Sequence, residues 1–332
     1  SGRSILFRDS IAIGKIANDD TTAISISDAS IIEGDAGTDT IKFAITLDNM
    51  VDSLGISFLT IDSTALVSDL DYQSQMDTIY MNCVLTDTIK IAINGDTKVE
   101  LNEYFKIDLR EIISPGRQVT FLDSIGIGTI INDDTARISI RDTFLVEGNT
   151  GIDSLKFVVT TDKIVDSLKV VYLSFDSTAF IADNDYIGIN DTLCINGLVD
   201  TIKIAVQGDT KVELTEFIKV SLTEILPNNR AVLYADSNAV GEIINNDTAR
   251  ITIRDTMLVE GDAGTSQLQF VVSTDFEVDT MCLVYMTFDS TALIADNDYQ
   301  MANDTLWTRK FGFKPIESRC NCRHKKCHGI WS

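Results

Sequence analysis

Apolar and polar residues take turns along most of this chain. Ile41, Phe43, Ile45 and Leu47 are interleaved with Lys42, Ala44 and Thr46. Ile89, Ile91 and Ile93 follow the same rhythm, as do Phe105, Ile107 and Leu109. It returns later at Leu155, Phe157 and Val159, and again at Ile202, Ile204 and Val206. A period of two with many β-branched residues predicts strands that bury one face. Clusters of Asp, Asn, Gly and Ser separate these runs and mark turns. No stretch sustains a helical period. About seven short strands in roughly 110 residues predict a two-sheet sandwich with an immunoglobulin-like layout, so the expected fold class is all-β.

The pattern also repeats on a larger scale. Glu33-Gly34, Glu147-Gly148 and Glu260-Gly261 are separated by 114 and 113 residues. Asp71-Tyr72, Asp185-Tyr186 and Asp298-Tyr299 keep the same two spacings, and so do Ser63-Thr64-Ala65, Ser177-Thr178-Ala179 and Ser290-Thr291-Ala292. The run from Gly95 to Leu101 recurs from Gly208 to Leu214. Asn132-Asp133-Asp134 matches Asn18-Asp19-Asp20 before it and Asn245-Asn246-Asp247 after it. Such a period exceeds the roughly 20–50 residues of a solenoid unit and fits a whole domain. The expected organisation is the last strand of a preceding repeat over 1–20, repeat one over 21–134 and repeat two over 135–247. A truncated repeat three follows over 248–308, and then a tail of different character over 309–332. The truncated repeat lacks about three strands of the sandwich and is expected to fold poorly without a partner.

Composition narrows the function. Hydrophobic residues make up 44% of the chain, enough for packed cores, and no apolar run is long enough to span a bilayer. The net charge of −23 argues against nucleic acid and against anionic membranes as partners. From Arg309 onward seven basic residues face Glu317 alone, a net +6, so residues 1–308 carry −29. Cys83, Cys194 and Cys282 fall at non-equivalent places in the repeats, which predicts isolated buried thiols rather than a disulfide framework. Residues 1–323 contain no histidine, which removes Ser–His–Asp, Cys–His and histidine–zinc chemistry from the folded body. No Gly-rich phosphate loop follows a strand, and paired carboxylates in sandwich turns offer no deep pocket for glycoside chemistry. The expectation is that the protein is not an enzyme.

What remains is acidic turn chemistry. In repeat one Glu33, Asp71, Asp96, Glu100, Glu103, Asp133 and Asp134 lie between predicted strands. If strand ends bring them to one pole, close carboxylate pairs repel by several kcal/mol at an effective dielectric of ~20. Such a cluster needs a cation or raised pKa values. Oxygen ligands without His or Cys select hard cations, and flexible carboxylate-rich loops favour Ca²⁺ over Mg²⁺. The plainer alternative is that Glu-Gly and Asp-Tyr serve turns only, and that the acids serve solubility.

Ordered motifs over residues 1 to about 307 resemble a known family, the Calx-beta repeat of sodium–calcium exchangers, integrin β4 and bacterial surface proteins. They include Val146-Glu147-Gly148, Asp176-Ser177-Thr178-Ala179, Asp185-Tyr186, Asp209, Val212-Glu213, Glu216-Phe217 and the closing Asn/Asp triplet. The resemblance implies tandem two-sheet sandwiches with Ca²⁺ clustered at one end of each. It implies that Glu33, Asp71, Asp96, Glu100, Glu103, Asp133 and Asp134 are ligands in repeat one, with Asn132 and the Lys98 carbonyl adding oxygens. In repeat two it implies Glu147, Asp185, Asp209, Glu213, Glu216 and Asp247, with Asn245, Asn246 and the Lys211 carbonyl. The chain departs from the family where the exchanger's first domain has three consecutive acids: here Gly95-Asp96-Thr97 and Gly208-Asp209-Thr210 stand instead. The closing triplet is also short of acids. Fewer ions per repeat are expected, with weaker binding in repeat two. Lys98 and Lys211 are placed to put an ammonium in the cluster, and repeat three offers only Glu260 and Asp298.

The tail reads Cys320-Asn321-Cys322-Arg323-His324-Lys325-Lys326-Cys327-His328. These are zinc-type ligands without zinc-finger spacing, and a disordered, non-native ending is expected. Asn190-Asp191-Thr192, Asn246-Asp247-Thr248 and Asn303-Asp304-Thr305 fit the glycosylation pattern, as chance predicts in so Asn/Asp/Thr-rich a chain. The leading functional expectation is a calcium-stiffened spacer or adhesion module of a larger surface or secreted protein. Its partners would be calcium ions, neighbouring repeats of the same chain and cell-surface or matrix proteins, and its location extracellular or cell-surface. The alternatives are calcium-sensor domains of an exchanger-type transporter and a metal-free scaffold.

Overall fold

The structure, a computed structural model, describes residues 2–114, 116–226, 229–262, 264–309 and 316–323. The chain divides into two compact units, the first being Ser1–Ala136 with Lys163–Asp166 and Asn229–Leu233, and the second the remainder. Residues 2–20 are exposed and carry no regular secondary structure.

Among the described residues the first unit contains nine strands: β1 (Thr21–Ile26), β2 (Ala29–Ile32), β3 (Gly37–Leu47), β4 (Leu54–Ile61), β5 (Met76–Met81), β6 (Thr86–Gly95), β7 (Glu103–Ile113), β8 (Gln118–Phe121) and β9 (Ile125–Ile131). They form two sheets, β6-β3-β1-β8 and β2-β9-β7-β4-β5. The count exceeds the expected seven because the first and last runs each split and serve both sheets. β1 pairs in parallel with β8, and β2 in parallel with β9. The alternation does what its period requires. Ile41, Phe43, Ile45 and Leu47 are buried on β3, while Lys42, Ala44 and Thr46 point outward. Phe105 on β7 meets Phe43 edge-on at 5.9 Å and stacks on Tyr72 at 4.3 Å. Each such buried side chain contributes about 1.5–3 kcal/mol of transfer free energy.

The second unit, with Ala136 and Val232–Leu233 lent by the first, repeats the plan with β10 (Ala136–Ile140), β11 (Thr143–Val146), β12 (Gly151–Thr161), β13 (Leu168–Asp176), β14 (Asn190–Ile195), β15 (Val199–Gly208), β16 (Glu216–Leu226), β17 (Val232–Asp236) and β18 (Asn238–Ile244). Its sheets are β15-β12-β10-β17 and β11-β18-β16-β13-β14. Even the bulge is copied: the ladder shifts at Ser57/Phe58 on β4 and at Val171/Tyr172 on β13.

Beyond these lie β19 (Ile251–Arg254), β20 (Thr265–Thr274), β21 (Thr280–Met286), β22 (Asn303–Arg309) and β23 (Ile316–Arg323), paired as β19-β20-β23 and β21-β22. The expectation of a poorly folded third repeat is corrected in part. Both part-sheets form, around Leu268, Phe270, Ala292 and Tyr299. Inward-facing Met281, Leu283 and Tyr285 stay only half-buried, whereas their counterparts Leu168, Val170 and Tyr172 are buried.

Within the tail, expected from the sequence to be disordered, Ile316–Arg323 pairs antiparallel with β20 along its whole length. The edge of β20 presents unpaired N–H and C=O groups, and any extended segment can satisfy them. β15 fills the equivalent edge of β12. The remainder of the tail, including His324, Cys327 and His328, lies outside the described residues. The cysteine expectation is also corrected: Cys83, Cys194 and Cys282 are free, but exposed rather than buried. Cys194 illustrates why, since it occupies an outward position of β14 between half-buried Leu193 and buried Ile195.

Candidate metal centres

In the first unit glycine geometry creates the site. Glu33 extends the β2–β9 ladder by donating its N–H to the Ile131 carbonyl at 3.2 Å. Gly34 then turns the chain at φ +75°, a conformation L side chains rarely adopt. Its N–H donates to Asp133 Oδ1 at 3.2 Å, tying the two loops together. At Gly95 a Cβ would lie 2.3 Å from the Gly34 carbonyl oxygen and 2.5 Å from that of Glu33. Only glycine permits this approach, which sets Asp96 beside Glu33. The second unit uses the same device. Gly148 turns at φ +74°, and a Cβ on Gly208 would lie 2.4 Å from the Gly148 carbonyl oxygen.

The Asp-Tyr motif has a different local cause. A 3-10 turn over Val67–Asp69 ends at Leu70, and Asp71 Oδ2 accepts the Leu66 N–H at 2.7 Å. Tyr72 enters the core and donates its hydroxyl to Asp62 Oδ1 at 2.6 Å. Phe180 and Asp185 repeat the first bond at 2.7 Å, and Tyr186 and Asp176 the second at 2.7 Å. The motif is therefore turn chemistry as well as candidate ligand. One Asp71 oxygen closes the turn, and its carboxyl also shares a hydrogen bond with Glu103 at the start of β7.

These loops gather the acids into trios. Glu33, Asp133 and Asp134 bring carboxylate oxygens within 4.8 Å of one another, and so do Asp71, Glu100 and Glu103. In the second unit Asp185, Glu213 and Glu216 form the matching trio at the same limit. Asp96 belongs to no trio, yet its charge bears on Glu33. Asp209 and Asp247 bear likewise on Glu147. Asn246 stands where Asp133 stands in the first unit, and its Oδ1 accepts the Gly148 N–H at 3.1 Å. Asn132 Oδ1 accepts the Glu100 N–H at 3.3 Å, and the Lys211 carbonyl is engaged by the Asn245 amide at 2.8 Å.

The electrostatics are those of crowded, buried acids. Burial first, then Asp96, Glu100, Asp134 and Asp133, pushes Glu33 up to about 8. Burial and then Asp209, Asp247 and Asp185 push Glu147 up to about 7. Glu103 and Glu216 are raised by burial and by sharing a hydrogen bond with Asp71 and Asp185. Glu100 is raised too, because its burial outweighs the Lys98 ammonium that pairs with it. Lys211 pairs with Glu213 in the same way. Glu33 Oε1, Asp134 Oδ2, Glu147 Oε1 and Asp247 Oδ2 are buried and meet no hydrogen-bond donor. Each orphaned buried acceptor costs about 1–3 kcal/mol, which a proton or a cation would relieve.

One part of the first site escaped sequence reasoning. Lys163 Nζ lies 2.6 Å from Asp134 Oδ1. Its neighbours hold the Lys98–Glu100 loop: the Val99 N–H donates to Ile164 O at 2.9 Å, and the Asp166 N–H to Val99 O at 3.1 Å. In the second unit Val212 donates to Glu277 O at 2.8 Å, and Asp279 to Val212 O at 3.0 Å. A signal existed, since Val51-Asp52, Val165-Asp166 and Val278-Asp279 keep the repeat's spacings. Lys163 itself carried none, because Asn49 and Phe276 hold its equivalent places.

No family model matches the chain, and no curated protein matches it. Solved structures with some likeness include CBD12 from CALX1.2, at 17% identity and TM-score 0.30 over 67% of this chain and 99% of that one. Calcium binding domain CBD12 of CALX1.1 follows at 16% identity and TM-score 0.31, over 66% and 99%. The apo-form Calx CBD1 domain stands at 17% identity and TM-score 0.29, over 34% and 98%. Likeness at this level carries no weight beside the geometry above.

Proposed function

We propose that each complete sandwich binds calcium at its acidic pole, and that the chain is a calcium-stiffened spacer or adhesion module of a larger surface or secreted protein. The observation that carries the reading is the convergence of Glu33, Asp133 and Asp134 with buried oxygens left unpartnered. Convergent carboxylates without His or Cys form an all-oxygen donor set, and Ca²⁺ accepts six to eight such ligands in irregular geometry. Glu33, Asp96, Asp133 and Asp134 would hold an ion on one side of the pole, and Asp71, Glu100 and Glu103 on the other. In the second unit Asp185, Glu213 and Glu216 would form the stronger site, beside Glu147, Asp209 and Asp247. The motif resemblance to Calx-beta repeats agrees with this chemistry. We read the role as binding rather than catalysis, since the lysines at the poles are paired with carboxylates and residues 1–323 hold no histidine.

The test is calorimetric titration of Ca²⁺ into the full chain and into the Glu103→Gln/Glu216→Gln double variant. Saturable binding that the variant weakens supports the reading, and absence of binding overturns it. A second reading, the metal-free scaffold, is favoured by the Lys98–Glu100 and Lys211–Glu213 ion pairs, which already supply a cation to each inner trio. An unchanged melting temperature on adding Ca²⁺ would decide for it.

A further inference from the structure

Asp134 is the most buried acid of the first pole, with 1% of its surface exposed. Its cationic partner comes from a distant part of the chain. Lys163 lies in the connection that follows β12, and its Nζ approaches Asp134 Oδ1 at 2.6 Å. That connection is anchored without help from the ion pair. Ile164 and Asp166 each exchange a backbone hydrogen bond with Val99, and Val99 and Val165 are both buried. Arg230 Nη2 also pairs with Asp166 Oδ2 at 2.9 Å. A fixed backbone thus delivers an ammonium to the trio of Glu33, Asp133 and Asp134. The Lys163 side chain is still 32% exposed, so it can swing into water while the backbone stays in place.

We propose that Lys163 is a tethered cation that competes with calcium for the Glu33–Asp133–Asp134 trio and sets its affinity apart from that of the neighbouring Asp71–Glu100–Glu103 trio. The proposal rests on the calcium reading above and deepens it. Without metal the ammonium neutralises one oxygen of a buried carboxylate, and Asp134 Oδ2 and Glu33 Oε1 remain without donors. A dication drawn to those two oxygens meets the ammonium as a like charge at close range. Binding therefore requires Lys163 to withdraw. The second unit supplies the comparison. The same backbone bonds join Val212 to Glu277 and Asp279, but Phe276 takes the lysine's place, and Asp247 Oδ2 is left bare. That pole has one acid fewer, with Asn246 for Asp133; among the described residues its Lys211 ammonium pairs with Glu213 in the inner trio, and none pairs with Asp247.

The experiment compares Ca²⁺ titration by calorimetry of the full wild-type chain, Lys163→Met and Phe276→Lys, with melting of each in chelator. For Lys163→Met, one class of sites is expected to tighten by roughly fivefold, the scale of giving up one partly exposed ion pair when the ammonium withdraws. Its metal-free melting temperature is expected to fall, because Asp134 loses its partner. Phe276→Lys is expected to weaken binding in the second unit. These opposite signs separate competition from support, since a merely structural lysine would lower melting and affinity together. Wild-type binding with unchanged or weaker binding in Lys163→Met overturns the proposal and leaves the calcium reading standing. Absence of binding in all three chains overturns both.

Discussion

At the scale of single residues, protons and calcium compete for the same oxygens. In the metal-free chain Glu33 is pushed up to about 8 and Glu147 to about 7, so both hold protons near neutrality. Ligation needs the carboxylate, so calcium uptake at pH 7 should release protons. Calorimetry at pH 7 in two buffers of different ionisation enthalpy checks this, and the release should shrink as pH rises past about 8. Linkage gives a second outcome. A carboxyl with a raised folded pKa binds more protons folded than unfolded between its ordinary value and the raised one. Metal-free stability should therefore fall as pH rises from about 4.5 to about 8, a sign opposite to that of a salt-bridged acid. Melting in chelator across that window measures it, and saturating calcium should flatten the trend.

Glycine gives the other test at this scale. Gly95→Ala would drive a Cβ to 2.3 Å from the Gly34 carbonyl oxygen and part the Glu33 and Asp96 loops. Overpacking of this kind costs about 1–3 kcal/mol. Here it should also weaken calcium binding in the first unit while leaving the second unit's sites unchanged. Gly95 was legible as part of a repeated run, but its reason was not. The run shows a glycine before an acid, while the close approach of two backbones distant in sequence exists only once the sheets have formed. Lys163 marks the opposite limit. Its place in the repeat holds Asn49, Lys163 and Phe276, so no pattern singles it out.

At the scale of elements, alternation carried most of the fold. A period of two states which side chains face inward, and β3, β6 and β7 bury the residues it indicates. It does not say which sheet a strand joins. β1 and β2 are separated by only two residues and pair in parallel with β8 and β9 in different sheets, which no count of apolar positions reveals. Ladder partners also decided the fate of the tail. Ile316–Arg323 has a poor strand pattern, yet the open edge of β20 recruits it. A chain ending at Arg309 should lose amide-exchange protection along β20, while β3 and β12 keep theirs. Unchanged protection of β20 would mean that β23 contributes nothing to that edge. The core is the more sensitive element: Phe105→Ala, which removes the ring between Phe43 and Tyr72, should cost about 3–5 kcal/mol.

At the scale of the whole molecule, the charge of −23 is the quantity to explain. Part of it is dispersed and screened, because exposed charges more than a Debye length apart scarcely interact at physiological salt. The part buried at the poles is different, since mobile salt does not reach Glu33 or Asp134, and a proton, the Lys163 ammonium or a bound cation neutralises them there. The two contributions separate by experiment. If calcium acts as general screening, then about 0.5 M monovalent salt in chelator should reproduce its effect on the chain's dimensions. If it acts at the poles, millimolar Ca²⁺ should change the maximum dimension and narrow the distance distribution in small-angle scattering. Neither that salt nor equimolar Mg²⁺ should do so, because Mg²⁺ demands near-octahedral geometry and keeps its waters. The Glu103→Gln/Glu216→Gln variant should then scatter alike with and without calcium. A wild-type profile that calcium leaves unchanged would reduce the ion to a local stabiliser of each sandwich and remove the stiffened spacer as the role of the chain.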